Sequence, residues 1–221
     1  MQDKDVTEVF AILKKEYGRF KTPYVTIVSE DTPERLRPYH VLVSCILSLR
    51  TKDNVTAAAT RGILAIADTP EKVAALPVDV IEKAIYPAGF YRTKAVTIKN
   101  ISGELVDHYS SVVPDTVEGL LKFKGVGRKT ANLVVTLGYA LPGICVDTHV
   151  HRITNHWGYV STKTPDKTET ALRDKLPKKY WIPINDYLVA YGQNLCKPVS
   201  PHCSECRLYK YCERIGVKKS R

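Results

Sequence analysis

The chain has little methionine, tryptophan or phenylalanine: 1, 2 and 4 residues respectively out of 221. No apolar run is long enough to cross a membrane. The longest, Leu133 to Val146, is broken by Gly138 and Pro142 and falls short of the roughly 20 residues that a helical span needs. The opening residues, Met1-Gln2-Asp3-Lys4-Asp5, lack the apolar core of a secretory signal. Internal repeats are absent, as is the sustained period-two alternation of a half-buried strand. Acidic residues are in deficit, 23 against 33 basic ones, for a net charge of +10. These shortages argue against a membrane, secreted or β-sheet protein and predict an intracellular, soluble chain. The 44% of hydrophobic residues argues against a disordered one. The excess of positive charge points to an anionic partner, with nucleic acid the leading candidate.

What is present reads mostly as helix, and the predicted fold class is all-α. Val9, Phe10, Ile12, Leu13 and Tyr17 recur at helical spacing in a charged segment. His40 to Leu49 is nearly all apolar, as a buried central helix would be. Further helices are predicted over 54–67, 93–109, 117–123, 129–139, 148–157, 168–176 and 185–196. Breaker signals lie between them at Thr69-Pro70, Pro87-Ala88-Gly89, Pro114-Asp115, Pro142-Gly143 and Thr164-Pro165-Asp166. Val25-Thr26-Ile27-Val28 is the one short piece that reads as extended.

Three constellations carry chemistry. In the first, the apolar end Leu120-Leu121 runs into Lys124-Gly125-Val126-Gly127, and a new helix starts at Arg128-Lys129. Two glycines permit a tight hairpin, and the second helix offers backbone N–H groups to a phosphate. Lys122, Lys124, Arg128 and Lys129 add positive charge. The same residues also fit a plain connection between core helices with solvated lysines.

In the second, Asp147 follows an apolar run and precedes a helix through Thr148, His149 and His151. This is the chemistry of an N-cap, and a capping carboxylate can also serve a reaction. The third is Cys196-x6-Cys203-x2-Cys206-x5-Cys212, four of the 6 cysteines in one short stretch. In a reducing compartment this array binds metal rather than forming disulfides. Spacing alone leaves zinc and a [4Fe–4S] cluster open, with His202 as an alternative ligand. Cys45 and Cys145 stand apart.

Taken together, Lys124 to Asn132, Cys145 to His149 and the cysteine array resemble the endonuclease III family of DNA glycosylases, in the helix–hairpin–helix–Gly/Pro-Asp superfamily. The resemblance runs from about Pro38 to Cys212. It implies a six-helix barrel domain with the hairpin over residues 31–141. A second helical domain, residues 1–30 with 142–221, would carry an iron–sulfur cluster on Cys196, Cys203, Cys206 and Cys212.

By the same resemblance Lys129 matches the lysine that attacks the sugar C1′, and Asp147 the aspartate that assists. Lys124, Gly125, Val126, Gly127, Arg128 and His149 would contact DNA. Arg50 stands in a segment similar to the loop that enters the helix beside the lesion, and Phe90 and Tyr91 in one like the wedge loop. The implied partner is double-stranded DNA with a damaged base or abasic site. The implied protein is a bifunctional glycosylase and lyase acting on damaged, oxidised pyrimidines, a monomer without membrane attachment in a prokaryotic nucleoid.

Three positions depart from the family's pattern: Lys124 where proline is usual, Arg50 where glutamine is usual, and Phe90 where leucine is usual. Arginine is a donor only, so Arg50 bears on the choice of opposite base. A mismatch- or uracil-directed glycosylase, and a non-enzymatic DNA-binding module with a structural metal, are the competing readings.

Overall fold

Every residue from Pro38 to Leu47 is buried. A helix apolar on all sides can sit only at the centre of a domain, and α3 (Arg37–Ser48) does so in this computed structural model, which describes residues 1–221. Its neighbours are α2 (Tyr24–Asp31), α4 (Asp53–Ile66), α7 (Tyr91–Tyr109) and α9 (Arg128–Leu133), the last running on through a π-helical turn over Val134–Gly138. Three short helices complete this unit: α5 (Pro70–Ala75), α6 (Val78–Ile85) and α8 (Val117–Leu120). The polar side chains that α3 buries find partners. His40 donates from Nε2 to the Asp68 carbonyl at 2.9 Å.

The chain divides into two compact units, residues 24–143 and residues 1–23 with 144–221. The second is built from α1 (Val6–Tyr17), α10 (Thr148–His156), α11 (Pro165–Lys175) and α12 (Pro183–Asn194). Val9, Phe10 and Leu13 of α1 share one core with Ile153, Trp157, Leu172 and Leu188. Each such side chain contributes roughly 1.5–3 kcal/mol on burial. Glu16 is buried on the same helix and is neutralised by Arg19 at 2.9 Å and Arg207 at 3.2 Å.

The structure is all-helical, with no β-strand. It differs from the sequence expectation in three places. Val25 to Val28 is helical, because Val25 and Val28 turn inward and α2 packs on α3 and α4. That packing moves the first domain boundary from 30/31 to 23/24, and the second lies at 143/144 rather than 141/142. Thr69-Pro70 starts a helix instead of only breaking one: the Thr69 hydroxyl accepts the Lys72 N–H, and proline occupies the first helical position.

Candidate active site

The hairpin is assembled from α8, a turn over 121–127, and α9. Leu120, Phe123 and Val126 are buried beneath the turn, while Lys122, Lys124, Gly125, Gly127 and Arg128 face outward. The turn needs glycine at one of its two positions only. Gly125 has φ +96°, and a Cβ there would lie 2.8 Å from Cγ2 of Thr97 on α7. Gly127 is extended (φ −98°, ψ 173°), with open space where a Cβ would go. The expectation that both glycines supply unusual backbone angles is therefore corrected. What Gly127 provides is an N-cap without a side chain, which leaves the first turn of α9 unobstructed.

Lys129 lies in that first turn, half-buried, between exposed Arg128 and buried Thr130. Its charge reaches Cys45 on α3. Burial pushes the Cys45 thiol up to about 12, and Lys129 pulls in the opposite direction. Asn132 donates back to the Arg128 carbonyl at 3.1 Å, holding the start of the helix.

Asp147 is the N-cap of α10, and it is buried, at 8% exposure. One carboxylate oxygen, Oδ1, accepts the N–H groups of His149 at 2.8 Å and Val150 at 2.9 Å. The capping role read from the sequence is present, and it fixes the carboxylate in place. His149 is half-buried, and Arg152 lies 3.2 Å from its Nδ1. The same Arg152 Nη2 donates to the Cys196 carbonyl at 2.6 Å.

Arg50 and Phe90 are both exposed and both left-handed, with φ 53° and 57°. The Arg50 guanidinium lies 5.1 Å from the Phe90 ring centre. Tyr91 is half-buried, meeting Tyr86 edge-on at 5.4 Å. The sequence reading missed what lies beneath these loops. Lys94, on α7, is buried and donates three hydrogen bonds, to the carbonyls of Leu47 and Leu49 at 2.7 Å each and to the Thr51 hydroxyl at 2.8 Å. Its only signal in the sequence is a cation on the apolar face of a helix, beside Ala95 and Ile98.

The four clustered cysteines line one cavity, with Tyr191, His202 and Arg214 among its other walls. Burial pushes the Cys196 thiol up to about 12, with Arg152 opposing. The Tyr191 hydroxyl lies 3.2 Å from the sulfur of Cys206. No three side chains are set to hold a single bare ion. Two observations suit a thiolate-bound group here. Four cysteines, all soft donors, line one cavity, and Nε2 of His202, in the same wall, is buried without a partner. Cys45 and Cys145 are buried elsewhere and line no part of this cavity.

A family model described as HhH-GPD superfamily base excision DNA repair protein matches residues 43–178. Endonuclease III of Thermotoga maritima is 46% identical over 176 residues, covering 80% of this chain and 83% of that one. The chain belongs to the endonuclease III family of the HhH-GPD superfamily. Membership makes it a DNA glycosylase of base excision repair. Endonuclease III homolog 2, chloroplastic, of Arabidopsis thaliana is 39% identical over 193 residues, and this chain spans 49% of its length. Among solved structures, a non-covalent endonuclease III–DNA complex matches with TM-score 0.82 at 28% identity, covering 97% of this chain and 96% of that one. A trapped endonuclease III–DNA covalent intermediate matches with TM-score 0.81, also at 28% identity, covering 97% of each chain.

Proposed function

We propose that this glycosylase is bifunctional: it removes damaged, oxidised pyrimidines from duplex DNA through a Schiff base on Lys129 and then cleaves the strand by β-elimination. The observation that carries the reading is an amine on the first turn of a hairpin helix, in a chain that belongs to the endonuclease III family. A base stacked inside a duplex is out of reach, so the nucleotide must first be flipped out. Backbone N–H groups of Gly125 and Gly127 face a phosphate, that of Val126 bonds the Phe123 carbonyl at 3.1 Å and stiffens the turn, and Lys124 and Arg128 add charge. Arg50 and Phe90 fill the space that the nucleotide leaves, and Tyr91 and His149 add contacts to the strand. The place of action is the prokaryotic nucleoid.

The nitrogen of Lys129 attacks C1′ as the N-glycosidic bond breaks, losing its proton to the surroundings, and the bonding pair leaves with the base, which takes up a proton. Ring opening yields the imine, with the sugar O4′ protonated. Loss of a C2′ proton then drives cleavage of the C3′–O bond, and the 3′ phosphate departs. Hydrolysis of the imine frees Lys129. The Asp147 carboxylate, held by two N–H groups, stabilises positive charge on the sugar and handles protons. Cys196, Cys203, Cys206 and Cys212 would hold a [4Fe–4S] cluster, which when bound supplies a structural cross-link of the C-terminal segment.

Borohydride trapping on duplexes carrying different single lesions tests the reading. A covalent adduct on an oxidised pyrimidine, lost in Lys129→Gln, supports it; no adduct on any damaged pyrimidine overturns it. A second reading, a mismatch- or uracil-directed glycosylase, is favoured by Arg50, whose guanidinium offers donors only to an orphaned base. Release of the base without an adduct from a mispaired or uracil-containing duplex would select it.

A further inference from the structure

We propose that Lys94 is a positioning residue that locks the Arg50 loop and the Phe90 loop into one gap-filling unit. The inference rests on the glycosylase reading for its biological sense, and on contacts within residues 24–143 for its geometry.

Arg50 follows the C-terminal end of α3, and Phe90 precedes α7. The end of α3 leaves carbonyls without helical partners, and Lys94 answers two of them, from Leu47 and Leu49. Its third bond goes to the Thr51 hydroxyl. That hydroxyl also accepts the N–H of Gly89 at 3.1 Å and donates to the Leu49 carbonyl at 3.3 Å. One ammonium and one hydroxyl therefore tie the segment before Arg50, the segment after it, and the residue before Phe90.

The approach is close. A Cβ on Gly89 would lie 2.8 Å from the Arg50 carbonyl oxygen, so only glycine lets the two loops touch there. Both exposed side chains above this contact ride on left-handed backbone. Non-glycine residues hold that conformation only where their surroundings impose it. The Lys94 bonds bracket Arg50 on both sides, and through Thr51 they reach Gly89 beside Phe90.

A lysine used only for packing or solubility would keep its charge in water. Lys94 instead buries its charge among two carbonyls and a hydroxyl, with no carboxylate beside it, and burial pushes its ammonium down to about 8. The ammonium form has three N–H donors for three acceptors; the neutral amine has two donors and a lone pair, and leaves one acceptor unserved. A buried, unneutralised cation that costs desolvation at the base of two loops fits a group selected to hold those loops.

The test uses the full chain and a duplex with 2-aminopurine opposite a tetrahydrofuran abasic analogue. Fluorescence of the probe rises when it is unstacked, and no bond needs to be made. In Thr51→Val, which keeps shape and removes the hydroxyl, and in Lys94→Met, most of the fluorescence gain should be lost, because loosened loops no longer hold their side chains in the gap. Affinity for intact duplex should stay within about a factor of two, since phosphate contacts lie elsewhere. Thr51→Ser, which restores the hydroxyl, should recover the gain. An undiminished gain in Thr51→Val, or an equal loss in Thr51→Ser, overturns the proposal, and neither outcome depends on whether Lys94→Met folds. Borohydride trapping of the native chain, run in parallel, reports on the Lys129 chemistry alone, so its failure would strike the glycosylase reading and leave the fluorescence result standing.

Discussion

Arg152 donates from Nη2 to the carbonyl of Cys196 at 2.6 Å, joining the helix that Asp147 caps to the first cysteine of the array. The same nitrogen lies 3.2 Å from Nδ1 of His149. Replacing Arg152 with Met keeps much of the side-chain stem and removes the donors, leaving the Cys196 carbonyl without this bond. The expected cost is about 1–3 kcal/mol, read as a lower denaturation midpoint. Because the loss falls beside Cys196, one of the four cysteines proposed to hold the cluster, the variant of a cluster-loaded protein should also release iron to a chelator faster than the native protein.

Lys129→Gln should abolish borohydride trapping and leave binding to a duplex with an abasic analogue measurable, since one charge among many sets little of the affinity. Asp147 separates its two roles by substitution. Asp147→Asn keeps an oxygen for the N–H groups of His149 and Val150, so folding should persist, while turnover falls by about 10²-fold or more if the carboxylate handles charge and protons. Asp147→Ala should add a stability loss of about 1 kcal/mol from the missing cap. Native turnover in Asp147→Asn would reduce Asp147 to a cap.

The two hairpin glycines should behave differently. Gly125→Ala meets both the positive φ and Cγ2 of Thr97, and should cost about 1–2 kcal/mol from backbone handedness alone, with a further steric part. Thr97→Ser removes Cγ2, so the double variant should recover the steric part in a thermodynamic cycle. Gly127→Ala meets open space on extended backbone and should fold normally. Gly127→Pro removes an N–H from the turn and should weaken binding to damaged and intact duplex alike. Undiminished binding of intact DNA would place the phosphate contact elsewhere.

The protein prepared without oxygen should be brown, with broad visible absorbance and four iron atoms per [4Fe–4S] cluster. One zinc and no iron would replace the cluster with a zinc site. Cys203→Ala should lose the metal and the order of the C-terminal segment. Cys45→Ala and Cys145→Ala should leave the spectrum unchanged.

Lys94 also gives a pH dependence of defined sign. Its ammonium loses its proton near pH 8 in the folded chain and near 10.5 when exposed. Across that window the unfolded chain holds a proton that the folded one has released, so stability attributable to Lys94 rises with pH. Urea unfolding of native protein and Lys94→Met at pH 7.5 and 9.5 should show the native protein gaining relative to the variant. No relative gain would mean that the three acceptors hold the proton as strongly as water does.

Long apolar periodicities were legible in the sequence. His40 to Leu49 reads as a central helix because a run without a polar face has nowhere else to go, and α3 is buried along its length. The hairpin and the cap at Asp147 were legible because glycine and aspartate act through local backbone chemistry. The short helices over 70–75 and 78–85 were not, since one or two turns carry too few apolar positions to show a period. Val25 to Val28 misled because β-branched residues favour strands until tertiary packing decides otherwise. Lys94 and Arg152 were invisible for a different reason. Each serves carbonyls contributed by another segment, 47 and 44 residues away along the chain, and no local pattern records such a partner.

The two-part make-up of the unit that carries the four clustered cysteines sets an order of events during synthesis. Residues 24–143 form one compact unit from a single stretch of chain. Helix α1 precedes residues 24–143 in the chain, yet Phe10 and Leu13 pack with Trp181 and Leu188, which follow them. During synthesis α1 therefore waits with its apolar face uncovered until its partners beyond residue 143 arrive. Cys196 to Cys212 emerge later still, so any metal they hold would be loaded after the hairpin segment has been made.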